Sequence, residues 1–437
     1  MGIDRRDFLK VATAGAGLAI SATSVAAETL ARAPLVRSGA APDVVVIGGG
    51  AFGMWTALYL QRQGAKVTVV DQYGPANSRA TSGGETRGVR SSYGDRPHGL
   101  QWGRWAIEAA KRWTAWDEEN QDDLLPRVYY NTGDVIMRDE MTPFMQRTTD
   151  NWDELGYPYE VISADEVHKR WPVIEVPDVS VAIYDAGAGI VRARRAIESV
   201  AKRFVQEGGT IVVGKVEMGS TDGRMVSDIV VDGSQRISGG NFQFALGPWF
   251  PKFFPELMGK RLRIRTLGHA YYFSTPPGDE RYRFPNLPSY NVPGVTGWPA
   301  LPNDARGFRI RTGGHRGDDP DTSVRWIDEK YHERPREVLR KYFPQLADRA
   351  INETRCCHYE SSVDSQFIID HHPDFDNAWL TGGGSAEAFK QGPVLGDYIA
   401  GRILGQPTKQ VFLGTQSEED LTTGFRLKDE EFEEGQD

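Results

Sequence analysis

Three glycines and an aspartate carry the first chemical signal. Gly48, Gly50 and Gly53 stand in G-x-G-x-x-G register directly after the apolar run Asp43-Val44-Val45-Val46-Ile47. The first glycine of such a set allows a tight turn, and the second lets the backbone approach a pyrophosphate. The third lets a helix pack close to its strand. Ala51 and Phe52 lie in the turn leading into that helix, whose unpaired N–H groups and dipole favour an anion. Asp71 follows Gly53 by close to the ~20 residues expected of a carboxylate that binds an adenosine ribose. A carboxylate there repels a 2′-phosphate, which disfavours NADP. The fingerprint leaves FAD and NAD both open.

Those residues need a parallel sheet beneath them. Val44–Ile47 is β-branched and too short for a helix, so it reads as a buried parallel strand. Residues 54–63 read as a helix stopped by Gly64, and residues 66–70 as a second strand ending in Asp71. Trp102, Trp105, Trp113 and Trp116 recur at helical spacing within 100–118, the mark of a helix with one buried face. Residues 192–207 read as a helix, 210–213 as a strand, and Asp232-Gly233 as a hairpin turn after residues 225–231. Near the end come a short strand over 377–380, a glycine turn over 381–384 and a helix over 393–404.

The 437 residues favour two domains, or one domain interrupted by another. A net charge of −9 argues against nucleic acid as a partner. No apolar run approaches the ~18 residues of a membrane span. The two cysteines are adjacent, which excludes a disulfide framework and a cysteine-based zinc site, and no metal site is expected. The first residues run Met1-Gly2-Ile3-Asp4-Arg5-Arg6-Asp7-Phe8-Leu9-Lys10, followed by an Ala/Gly-rich apolar stretch and Ser24-Val25-Ala26-Ala27. Residues 1–27 therefore read as a twin-arginine-type signal peptide, and residues 28–42 as a linker. The expected destination is the periplasm or the exterior of a bacterium, reached as a folded protein through the twin-arginine export machinery. A plain N-terminal helix is the bland alternative.

The segment Ser82-Gly83-Gly84-Glu85-Thr86-Arg87-Gly88-Val89-Arg90-Ser91-Ser92-Tyr93-Gly94 resembles the monomeric sarcosine oxidase family. These FAD amine oxidases include N-methyltryptophan and pipecolate oxidases and belong to the D-amino-acid-oxidase-like group. Arg170-Trp171-Pro172, Gly187-Ala188-Gly189-Ile190, Leu246-Gly247-Pro248-Trp249, Cys357-His358-Tyr359, Phe367-Ile368-Ile369-Asp370 and Ser385-Ala386-Glu387-Ala388-Phe389-Lys390 continue the likeness in family order. It covers roughly residues 43–415 and decides the cofactor as FAD. It also implies an α/β fold, with a Rossmann-type FAD-binding domain over 43–126, 190–262 and 352–415. A substrate domain over 127–189 and 263–351 would be interleaved with it, built on a mixed, largely antiparallel sheet with helices. The acidic stretch 416–437, poor in apolar residues, is expected to be a disordered tail.

The resemblance also assigns candidate site residues. Arg90 and Lys390 match an arginine and a lysine that bind the substrate carboxylate, a pairing that suits an anion. Arg87 and Gly384 join the cofactor set. Cys357 matches a cysteine that tethers FAD through the flavin 8α position, against the commoner role of a free cysteine as a small buried hydrophobe. Cys356 should face elsewhere. Arg311 stands where the family has a lysine that helps reduced flavin react with oxygen, and His315 matches an active-site histidine. Arg309 and Arg311 also fit a strand with one exposed face. Thr296 falls at the family's pocket tyrosine. Glu387 replaces a histidine, and it could serve a helix dipole or receive a cationic substrate group. The expected function is oxidation of the C–N bond of a carboxylate-bearing, N-substituted amino acid, a small-molecule substrate, with oxygen or a quinone as acceptor. The rivals are a quinone- or carrier-linked dehydrogenase and a flavin-bearing binding protein without turnover.

Overall fold

The structure is a computed structural model that describes residues 43–120, 127–302, 306–314 and 319–433. The expected signal peptide and linker, and His315, lie outside the described residues.

Two large sheets organise the chain. The first has six strands in the order Ile368–His372, Phe375–Gly382, Asn241–Phe244, Val44–Ile47, Val67–Asp71, Thr210–Val213. All neighbouring pairs are parallel except the first. Val44–Ile47 sits at the centre and is buried on both faces, as its uninterrupted β-branched sequence requires. Val44 and Val46 pack against the helices Ala51–Arg62, Gly99–Glu119, Ala193–Gln206 and Gly392–Ile403. Val45 and Ile47 meet the opposite layer, which includes the small antiparallel sheet of Val216–Met218, Asp228–Val231 and Gln235–Ser238. The hairpin expected at Asp232-Gly233 is present, and both residues take positive φ (49° and 70°).

The second sheet has eight strands, antiparallel apart from the pairing of Ser289–Val292 with Asp134–Arg138. Its order is Ile351–Ser362, Leu262–Phe273, Phe308–Thr312, Val295–Trp298, Ser289–Val292, Asp134–Arg138, Val181–Asp185, Glu160–Ser163. Ile351–Ser362 was expected within the FAD-binding segment 352–415. It pairs along its length with Leu262–Phe273, and Cys356 is buried in the second core. A three-stranded sheet of Arg87–Val89, Gly189–Val191 and Tyr129–Tyr130 joins strands from the segments expected for both domains.

The tryptophans of Gly99–Glu119 form the expected buried stripe, and they also fix distant segments. Trp113 Nε1 donates to the Lys390 carbonyl (2.8 Å), and Trp102 Nε1 to Gln366 Oε1 (2.8 Å). The disordered tail is a correction. Glu418–Gly424 is a helix capped by the Ser417 side chain, and Leu421 and Phe425 are buried in the main core. A four-residue spacing puts these two apolar residues on one side of the chain, where Phe425 meets Trp105 and Tyr398. Composition averaged over the segment hides that placement. Among the described residues no helix is long and apolar enough to cross a membrane.

Candidate active site

The glycine turn is shaped by two contacts and one opening. Gly48 takes φ +110°, and a Cβ there would lie 2.2 Å from the Ala245 carbonyl oxygen. A Cβ on Gly53 would lie 1.9 Å from the Gly48 oxygen, so the helix and strand approach as expected. Gly50 has only Ser82 Oγ nearby, at 3.4 Å, and its backbone lines a cavity of about 320 Å³. That cavity is also lined by Phe52, Asp71, Arg87, Tyr359, Glu360 and Gly384. The Ala51 N–H is already taken by Ser82 Oγ (2.9 Å). Asp71 accepts the N–H groups of Gly49 (2.6 Å) and Tyr73 (2.9 Å), which oppose the upward push of burial on its carboxyl. Bare glycine backbone, a carboxylate at the strand end and apolar walls together fit a dinucleotide cofactor.

Arg87 donates to the carbonyls of Thr86 (2.8 Å) and Thr81 (2.7 Å) and lies beside Cys357. Burial alone would raise the Cys357 thiol. The charges of Arg87 and Arg355, with hydrogen bonds from both, more than offset it and hold the thiol below its ordinary value. Arg355 Nε lies 3.5 Å from the sulfur. Cys356, one residue away on the same strand, turns into the second core with Tyr271 and Leu339, as expected.

A charged cluster lies beside this cavity, assembled from four distant parts of the chain. Lys390 is buried, its Nζ contacts Glu387 Oε2, and it stands 5.0 Å from the centre of the Tyr93 ring. Glu387 also accepts from Tyr93 OH (3.1 Å) and Arg96 Nη2 (3.4 Å). Burial opposes its ionisation, but Lys390, Arg96 and Arg90 hold the carboxyl below the usual range. Glu387 stands at the N-cap of the helical turn Ala388–Gln391, but its side chain makes no cap hydrogen bond and turns to Lys390, Tyr93 and Arg96 instead. Arg90 and Arg311 act on the same group of charges, and burial lowers Arg311 to about 10. Thr296 is the cross-strand partner of Arg311 and so shares its face of the sheet.

Four participants were not anticipated. Asp134, 1% exposed, lies 3.9 Å from Arg90 Nη1; burial pushes its carboxyl to about 6 although Arg90 pulls it down. Tyr93 and Arg96 follow Arg90 closely enough in sequence to have been included with it. Glu360 gave no local signal. It is buried in the cofactor cavity, accepts the Gly384 N–H (3.0 Å) and is pushed up to about 7 by burial.

Residues 43–402 match the profile of the family described as FAD dependent oxidoreductase (DAO). Monomeric sarcosine oxidase of an Arthrobacter species is 24% identical over 376 residues, covering 82% of this chain and 91% of that one. N-methyl-L-tryptophan oxidase of Yersinia pestis is 25% identical over 370 residues, covering 82% and 94%. Among solved structures, iminodiacetate oxidase from Chelativorans superposes with a TM-score of 0.69 at 19% identity, over 84% of this chain and 96% of that one. L-proline dehydrogenase from P.horikoshii gives 0.71 at 17% identity, over 85% and 95%.

Proposed function

The chain belongs to the family of FAD dependent oxidoreductases, and on that footing we propose that it oxidises the C–N bond of a carboxylate-bearing, N-substituted amino acid to an imine. The observation that carries this reading is the convergence of Arg90 and Lys390 beside the cofactor cavity, with Glu387 between Lys390 and Arg96. A guanidinium and an ammonium from distant segments suit one carboxylate, which they orient as a fork and a point charge. The relatives named for sarcosine and N-methyl-L-tryptophan support the substrate class.

Bound flavin supplies the two-electron sink for the oxidation. Gly48, Gly50, Gly53 and Asp71 would hold its nucleotide end, and Arg87 and Gly384 the part beside the charged cluster. Arg90 and Lys390 bind and orient the substrate. Asp134, 3.9 Å from Arg90 Nη1, sets a carboxyl beside its guanidinium, while Glu387 keeps Lys390 charged and aimed. Cys357 is the tether in this reading, because Arg87 and Arg355 favour its thiolate, the nucleophile a thioether needs. The imine then hydrolyses in water. We assign the chain to the periplasm, reached by the twin-arginine route, on the pattern of residues 1–27.

Arg311 favours a quinone or carrier over oxygen as the acceptor, because its flat guanidinium replaces a compact ammonium. The test of the substrate reading is turnover with an artificial quinone, comparing wild type with Lys390→Met. Loss of one charge-assisted contact, about 1.5–3 kcal/mol, should raise KM for N-alkyl amino acids at least about tenfold and spare neutral amines. Equal effects on both substrate classes would refute it.

A further inference from the structure

Glu360 is an acid in the wall of the cofactor cavity, buried to 3% exposure. It stands three residues after Cys357 on the strand Ile351–Ser362, and its cross-strand neighbour is Ile264. Its Oε1 accepts the Gly384 N–H (3.0 Å) and its carbonyl accepts the Ser385 N–H (2.9 Å), which fixes it to the turn that leads to Lys390. A Cβ added to Gly384 would lie 3.2 Å from Oε1, 3.3 Å from Ala388 and 3.5 Å from Phe52. One added to Gly247 would lie 3.6 Å from Oε2. Gly384, Ala388, Phe52 and Gly247 all line the same cavity, so the carboxyl is set among bare backbone and apolar side chains. Among the described residues Oε2 has no hydrogen-bond partner outside its own residue.

A carboxyl in such surroundings is favoured as the neutral acid, which donates a hydrogen bond as well as accepting one. We propose that Glu360 binds the cofactor as a neutral acid, donating from Oε2 to an acceptor on the flavin, and that it keeps this proton as the flavin is reduced. This rests on the reading that places the flavin between Cys357 and the turn to Lys390, and it is independent of which amine is the substrate. A hydride from the substrate C–H bond brings two electrons and one proton, and therefore one negative charge. Glu360 is neither oxidised nor reduced in that step. Where it is ionised beforehand it takes one further proton from water, so that the new charge meets an O–H rather than a second anion. Burial lifts its titration to about 7, opposed by backbone N–H groups. The titratable groups that share the cavity, Asp71, Tyr73, Arg87, Lys215, Lys252, Asp321 and Tyr359, do not contribute to that shift.

The test compares wild type with Glu360→Gln, whose amide keeps an oxygen for Gly384 and an N–H for the flavin but takes up no proton. Each flavin-loaded protein is titrated anaerobically with dithionite beside a reference dye of known potential, between about pH 6 and 9. Above about pH 7 the ratio of reduced to oxidised flavin, at a fixed potential, should fall with pH more steeply in wild type, by up to about tenfold more per pH unit. In the Cys357→Ala background, where FAD binds reversibly, fluorescence titration should show affinity falling over the same range with Glu360 and holding with glutamine. Glu360→Leu offers no donor. It should weaken FAD at every pH and share the shallow redox slope, and it serves if the glutamine variant does not fold. Equal pH slopes in wild type and Glu360→Gln, for reduction and for FAD affinity alike, would overturn the proposal and leave Glu360 a structural acid of the cavity wall. A difference in affinity alone would set Glu360 against the nucleotide and overturn the coupling to reduction. No amine enters either measurement, so a failure here is distinct from a failure of the substrate reading.

Discussion

Replacing Glu360 by glutamine should change the pH dependence of stability in one direction and by a defined amount. Glu360 is 3% exposed, and among the described residues its carboxylate accepts, outside its own residue, the Gly384 N–H. Among the described residues no cation opposes the effect of burial, which lifts its titration from 4.5, ordinary for glutamate, to about 7. Below pH 4.5 the group is protonated in folded and unfolded chains alike and contributes no pH dependence. Between 4.5 and about 7 only the folded chain keeps the proton, so stability falls as pH rises, by about 1.4 kcal/mol per pH unit. The whole loss is about 3 kcal/mol and is complete above the folded value. Glutamine keeps an oxygen for the Gly384 N–H and cannot ionise. Glu360→Gln should therefore match wild type near pH 4 and exceed it by up to about 3 kcal/mol near pH 8. Urea unfolding followed by tryptophan fluorescence across that range measures the difference. A difference that does not change with pH would refute the argument and show that Glu360 ionises normally.

Acid-precipitated wild type should stay yellow, whereas Cys357→Ala should release its colour to the supernatant; wild type that loses its colour has no thioether. Arg311→Lys should speed reoxidation of photoreduced enzyme by oxygen in stopped-flow mixing, because it restores a compact charge. Fast wild-type reoxidation, unchanged in the variant, would place Arg311 outside that step. Ala386 holds φ +66°, a conformation that costs an L-residue about 1–2 kcal/mol. Ala386→Gly should recover about 1 kcal/mol in denaturant unfolding, and an unchanged or lowered midpoint would show that the alanine is not strained.

Local rules carried the reading where structure is locally determined. Gly48 and Gly53 were legible because only glycine fits against the Ala245 and Gly48 carbonyls. The tryptophan stripe was legible because helical spacing puts its members on one face. Boundaries shifted slightly: the first helix begins at Ala51 rather than Met54, since the turn glycine Gly50 serves as its N-cap. What could not be read depends on pairing between distant segments. Arg309 alternates with apolar residues, which in an isolated strand signals one solvent face, but residues 86–90 cover that face here. Asp134 meets Arg90, and Glu360 meets Gly384, only after separate strands and turns have assembled. Glu387 was visible as a departure, yet its partnership with Arg96 and Tyr93 required the fold.

The central claim is that this flavoenzyme takes electrons from the C–N bond of an amino acid. Anaerobic mixing of the oxidised enzyme with a panel of N-alkyl and dicarboxylic amino acids tests it most directly, with the flavin absorbance followed in time. The account predicts that at least one carboxylate-bearing secondary amine bleaches the flavin completely, and that Lys390→Met slows or weakens this response. A flavin that dithionite reduces but no amine in the panel bleaches would contradict it, and would leave a flavin-bearing binding protein in its place.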